Sequence, residues 1–257
     1  MGFEARQLWK LLGACLASAA LLTACGGGGG GGGGDDDPDD PVPPPVGTKF
    51  TLASGYKERI KDGASDDFKL KSPPGTCGGT ATIVTEAADP ATFEGVTGFS
   101  VAQVSTLKLT GCQPATSTAT GTTYYNANYV PIGQAIEGSA GEYAMFDGQP
   151  PTAVLKDSVD ANDIGTEHLL VTMTRYENDT KQLVIGSRTV SYVIEAETAT
   201  TLIANIITRS YDDVAQKQLA STQQSRYRMG ANNAFTLKSI DVDVKRPVAF
   251  RLWYEPT

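Results

Sequence analysis

Nine consecutive glycines, Gly26–Gly34, divide this 257-residue chain into parts that cannot share one core. Glycine has no side chain to bury and loses the most backbone entropy on ordering, so the run acts as a flexible coil spanning roughly 15–18 Å. Five aspartates follow within Asp35–Asp40, and then Pro41-Val42-Pro43-Pro44-Pro45. Like charges repel and prolines extend the backbone at about 3.1 Å per residue, so this stretch is stiffer and no better able to fold. Residues 25–47 are expected to form a disordered tether, with any globular body beyond it. Its carboxylates fit a solvated spacer better than a cation site.

Ahead of the glycines, Arg6 and Lys10 precede Leu11–Leu22, an uncharged run of 12 residues rich in Leu and Ala. As a helix it spans about 18 Å, short of the roughly 30 Å hydrocarbon core, which fits a cleaved secretory signal better than a membrane span. The run ends in Leu22-Thr23-Ala24-Cys25. This motif resembles the lipobox of bacterial lipoproteins, which implies diacylglycerol on the Cys25 thiol, removal of residues 1–24 and acylation of the new amine. Leu12-Gly13-Ala14-Cys15 is spelled similarly, but Lys10 leaves it no apolar segment upstream. Ala17-Ser18-Ala19 fits ordinary cleavage and would strand Leu21 and Leu22 on the mature end. Two or three acyl chains anchor stably at about 0.8 kcal/mol per buried methylene. The expected partner is therefore a membrane, reached through the N-terminal lipid. Gly26 stands where an Asp tends to retain such proteins in the inner membrane, so the resemblance implies the outer membrane. The Cys-Gly-rich start also resembles that of some surface lipoproteins, such as the transferrin-binding protein B group, and implies a surface-displayed adhesin-like or ligand-capturing alternative.

Without Arg6, Lys10 and Glu4, the 21 basic and 29 acidic residues of the whole chain become 19 and 28. Five of those acids sit in the tether, which leaves about −4 for the body, with no basic stripe of the kind nucleic acid requires. Thr, Val, Ile and Tyr recur in alternating stretches broken every ten residues or so by Gly and Asp. The expected fold is all-β, as two antiparallel β-sandwich-like domains at 48–147 and 152–257, parted by Asp147-Gly148-Gln149-Pro150-Pro151. Strands are expected at Lys49–Ser54, Phe68–Lys71, Thr80–Glu86, Phe99–Leu109, Thr122–Val130 and Gly141–Phe146. Beyond the break they are expected at Ala153–Leu155, Leu169–Tyr176, Gln182–Ile185, Arg188–Glu195, Thr200–Ser210, Gln216–Arg228, Thr236–Lys245 and Ala249–Glu255. Thr200–Ser210 has apolar residues at odd and even positions and should be covered on both sides.

With Cys15 removed and Cys25 acylated, Cys77 and Cys112 remain, and in an exported chain they are expected to form a disulfide. A metal role for them lacks ligands, since the chain has one histidine and no C-x-x-C pair. That histidine, His168, would have to serve any Ser-His-Asp site, and no G-x-S-x-G elbow supplies the serine. Ser54-Gly55-Tyr56-Lys57 and Ser105-Thr106-Leu107-Lys108 both match S-x-x-K, without the companion motifs. An envelope hydrolase would need a carboxylate pair that spacing alone does not reveal. Asp157, Asp160, Asn162, Asp163 and Glu167 form an acidic, oxygen-rich stretch that fits a loop held by Asx turns, and fits an EF-hand poorly as a calcium site. Tyr124, Tyr125 and Tyr129 are the candidate ligand contacts: Tyr125 and Tyr129 would share one face of a strand Thr122–Val130, either as core or as a strip that stacks a sugar. No cofactor is expected. The reading is a non-catalytic lipoprotein that binds an unidentified protein or carbohydrate, or scaffolds the envelope.

Overall fold

The computed structural model describes Pro41 and residues 43–71, 78–110, 116–137, 141–230, 234–245 and 250–256. The expected lipidation site Cys25 and the expected disulfide partners Cys77 and Cys112 lie outside these residues, as does the signal segment.

The chain enters through a two-residue strand, β1 (Phe50–Thr51), and turns at once into a helix, α1 (Ala53–Asp62). Gly63 ends the helix at φ 73°, a left-handed conformation that glycine tolerates, and Arg59 and Lys61 in the last turn complement the helix dipole. The first half then forms β2 (Ala64–Lys71), β3 (Gly78–Thr85), β4 (Asp89–Phe93), β5 (Val96–Thr110), β6 (Thr116–Asn126), β7 (Pro131–Ile136) and β8 (Glu142–Phe146). The short β9 (Ser158–Val159) pairs with β1, and a 3₁₀ turn at Ala161–Asp163 follows. The remaining strands are β10 (His168–Tyr176), β11 (Val184–Thr198), β12 (Thr201–Tyr211), β13 (Leu219–Met229), β14 (Phe235–Val244) and β15 (Phe250–Pro256).

Thirteen strands join in one antiparallel sheet, ordered β3-β2-β15-β14-β13-β12-β11-β10-β8-β7-β6-β5-β4. Because β3 also pairs with β5, from Gly78↔Thr110 to Thr85↔Gln103, the sheet closes on itself as a barrel, with β4 branching from the start of β5. The last strand seals the ring against an early one, with Tyr254 opposite Leu70 and Glu255 opposite Lys69.

The body is antiparallel β as expected, and the expected pair of sandwiches is not confirmed. The chain does break at Asp147–Pro151, but β8 pairs with β10 across the break and one apolar core runs through both halves. Two separate sheets would each have left two unpaired edges, which closure removes. Other expectations shift locally. The strand expected over Lys49–Ser54 shrinks to Phe50–Thr51 and yields to α1, and Ala153–Leu155 is irregular. Gln182–Ile185 and Arg188–Glu195 merge into β11, while β6 stops at Asn126 instead of Val130.

Register assigns the faces. Tyr192, Ile206, Ser225 and Ile240 lie opposite one another across β11–β14, as do Ile194, Ala204, Tyr227 and Leu237, and all are buried inside the barrel. The outward row carries Glu195, Arg226, Arg228, Asp241 and Arg251, bound in pairs such as Arg226–Glu195 at 2.9 Å and Arg251–Asp241 at 2.5 Å. These long side chains lie over their neighbours, so Ser191, Asn205, Ile207 and Gln224 are buried on the outer face too. Leu202 to Thr208 of β12 are thus buried on both faces. Over β11–β15 the outward row is thus charged, unlike the apolar band that a membrane-spanning barrel presents. Among the described residues no helix is long and apolar enough to cross a membrane.

Candidate functional site

The barrel interior is largely filled, by different means at its two ends. At one end α1 lays Tyr56 against Phe235, edge to face at 6.1 Å, with Tyr125 and Tyr227 close by. Gly55 makes this approach feasible, since a Cβ there would meet the Phe235 side chain at 2.9 Å. Arg59 lies 5.4 Å from the Tyr227 ring centre and pairs with Asp66 of β2. Burial pushes the Asp66 carboxyl up from its ordinary value, with Arg59 opposing. Burial likewise raises the hydroxyls of Tyr56, Tyr125 and Tyr227, which stay neutral phenols. The space left between them is about 20 Å³, enough for one water.

At the other end the interior is polar. Glu142 of β8 bridges Arg175 of β10 at 2.6 Å and Arg188 of β11 at 2.7 Å. Arg188 also donates to Gln134 of β7 and, at 3.1 Å, to Ser210 of β12, while Arg175 donates to the Tyr211 carbonyl at 2.9 Å. Burial works against the Glu142 charge, but the two guanidiniums outweigh it and hold the carboxyl down at about 2. The cluster ties five consecutive strands of the ring.

Open space appears at the α1 end. A cleft of about 360 Å³ lies between the start of α1, the β6–β7 turn and the segment before β9. Ser54, Lys57, Asn128, Tyr129, Leu155 and Asp157 line it. Tyr129 sits at φ 60°, an uncommon conformation for a bulky residue. The turn is held there by the Asn126 side chain, which accepts from the Asn128 N–H at 2.9 Å and the Val130 N–H at 3.1 Å. The Tyr129 ring stacks on Phe99 at 4.7 Å and lies under the Lys57 ammonium at 5.1 Å.

No family model, curated protein or solved structure matches this chain. Its chemistry has to be read from the site alone.

The three candidate tyrosines point three ways. Tyr125 is 1% exposed and faces the barrel interior. Tyr124 faces outward beneath Phe93, whose ring stacks on it at 4.2 Å. Tyr129 lies beyond the strand end, in the turn, 4% exposed. They form no shared strip, because β6 ends at Asn126.

The acidic stretch is tied up within itself. Asp160 caps the 3₁₀ turn through the Asn162 N–H at 2.8 Å, and Asp163 accepts from the Asp160 N–H at 3.0 Å and from Lys156 at 2.5 Å. Glu167 turns to the outer face, where Arg209 at 2.5 Å and Ser191 at 2.5 Å hold its carboxyl below the usual range. Asp157 alone among them faces the cleft. Among the described residues no three His, Cys, Asp or Glu side chains converge as metal ligands. His168 opens β10 with its ring stacked on Tyr192 at 4.9 Å. Sequence reasoning named Lys57 only as the end of an S-x-x-K match without companion motifs, and it missed the Glu142 cluster altogether.

Proposed function

We propose that this chain is a lipid-anchored protein of the bacterial cell envelope whose barrel acts by binding and not by turnover. The observation that carries the reading is Cys25, which ends the apolar run in a lipobox-like Leu22-Thr23-Ala24-Cys25 and opens directly onto a Gly, Asp and Pro tether. A barrel with a charged, water-facing outside supports a body held off the membrane and not in it. A binding role is supported by the α1-end cleft, whose volume falls in the range of small-ligand sites, and by charged clusters such as Glu142–Arg175–Arg188 whose members are committed to one another. The outer membrane is the proposed address.

Intact mass of the mature protein tests this. The expected species begins at Cys25 and carries acyl chains, and Cys25→Ser leaves the precursor uncleaved or releases a soluble form. An unacylated mature protein starting near Ala20 would overturn the anchor. The Cys-Gly-rich start favours a second reading, display on the cell surface as a ligand-capturing module. Protease added to intact cells separates the two, since a surface body is lost and an inward-facing one survives until the envelope is opened.

A further inference from the structure

We infer that the α1-end cleft binds a small zwitterion, of the size of a free amino acid or dipeptide, between Lys57 and Asp157. This deepens the proposed binding role and is independent of the lipid anchor.

The space between Tyr56, Tyr125 and Tyr227 is about 20 Å³, whereas the cleft offers about 360 Å³. Opposite charges stand on its walls: the Lys57 ammonium on α1 and the Asp157 carboxylate on the segment that runs into β9. Neither forms an ion pair with the other or with another described side chain, and the Lys57 ammonium lies over the Tyr129 ring at 5.1 Å. Elsewhere on the barrel, Arg59, Lys156, Lys181, Arg209, Arg226, Arg228 and Arg251 each hold a carboxylate. Ser54 and Asn128 add a hydroxyl and an amide with no side-chain bond of their own. A ligand complementary to such walls carries a carboxylate for Lys57 and an ammonium for Asp157, with an apolar part against Val154 and Leu155.

The walls are set in place beforehand. Asn126 fixes the β6–β7 turn through two backbone N–H groups, and the Tyr129 ring meets both Phe99 and Lys57. The facing segment is tied to the helix start, since the Leu52 N–H donates to the Asp157 carbonyl and the Ala53 N–H to the Lys156 carbonyl, both at 3.1 Å. Preformed walls reduce the ordering that binding costs. A sugar platform fits less well, because Tyr129 is only 4% exposed and its ring already meets Phe99 and Lys57.

Titration calorimetry on the full chain, purified in detergent, tests the inference with four probes: leucine, leucyl-leucine, N-acetyl-leucine and leucinamide. Leucine or leucyl-leucine is expected to bind with a Kd near or below about 1 mM, and each blocked form about tenfold more weakly, the effect of one lost charge-assisted bond. Asp157→Asn is expected to abolish the preference for a free amine, and Lys57→Met the preference for a free carboxylate. Both residues are exposed, so the thermal midpoint of each variant should match the parent. No heat from either zwitterion at about ten times that concentration, equal binding of the blocked forms, or unchanged preferences in both variants would overturn it. Any of these leaves the Cys25 mass experiment standing, so failure of the cleft and failure of the anchor remain distinct.

Discussion

Replacing Glu142 with glutamine removes the carboxylate that faces both Arg175 and Arg188 inside the barrel. Two buried guanidiniums then lack their counter-charge, a defect that costs about 3–5 kcal/mol, and urea unfolding at pH 7 should show it. The pH dependence is sharper. The Glu142 carboxyl lies at about 2 in the fold against an ordinary 4.5, so between those values the unfolded chain binds the extra proton. Stability from this group is full above about pH 4.5 and is lost as pH falls towards 2, a change of about 3 kcal/mol. Urea midpoints across this window should fall for the parent and stay flatter for Glu142→Gln. Parallel curves would assign the acid transition to another carboxylate. None of this was legible in the sequence, because Glu142 and Arg175 are 33 residues apart and only the β8–β10 register joins them. In β11 the local pattern is more telling: Val190, Tyr192 and Ile194 alternate on the inward face, although Thr189 and Ser191 on the other face are buried as well.

Among the elements, the β4–β5 hairpin departs furthest from simple reading. Asp89-Pro90-Ala91-Thr92-Phe93 carries turn formers, yet it is a strand, because β4 pairs on one side only and Pro90 can sit on an edge. The hairpin folds back over the outside of β6–β8. Phe93 stacks on Tyr124 and lies 5.5 Å from Tyr143, over Gly133, where a Cβ would come within 2.1 Å of its ring. At the tip, Glu94 accepts from Tyr143 at 2.5 Å and from Lys181 at 2.8 Å. The Lys181 and Tyr143 bonds hold its carboxyl below the usual range. Phe93→Ala should free this arm without opening the ring. Limited proteolysis is expected to cut near Glu94-Gly95 while the thermal midpoint of the body falls by only a few degrees. Loss of the whole fold at that substitution would show that the arm is part of the core. The helix was harder still to foresee: Tyr56 and Ile60 are spaced for a helical face, but Ser54-Gly55 interrupts it and its partners lie on β13 and β14.

For the molecule as a whole, strand density foretold an all-β body, and turn spacing located most strands, because both are local properties of the chain. Closure is not local: it depends on β15 finding β2 and β3 finding β5, pairings that no alternation pattern encodes. Along the chain, the β3–β5 seam nevertheless ends next to the two cysteines. Gly78 and Thr110 are register partners, Cys77 immediately precedes the first and Cys112 lies two residues past the second. A disulfide there would staple the seam at its end and close a loop of about 35 residues, contributing roughly 3.8 kcal/mol on the chain-entropy model. That is a large share of the 5–15 kcal/mol typical of a domain, so reduction should lower the denaturation midpoint clearly. Peptide mapping without reductant is expected to recover one cross-linked peptide holding Cys77 and Cys112, and thiol labelling of the native protein should find neither. Two free thiols after oxidative export would leave the seam to its backbone hydrogen bonds alone. In that case Cys77→Ser with Cys112→Ser would match the parent in stability, instead of falling to the level of the reduced protein.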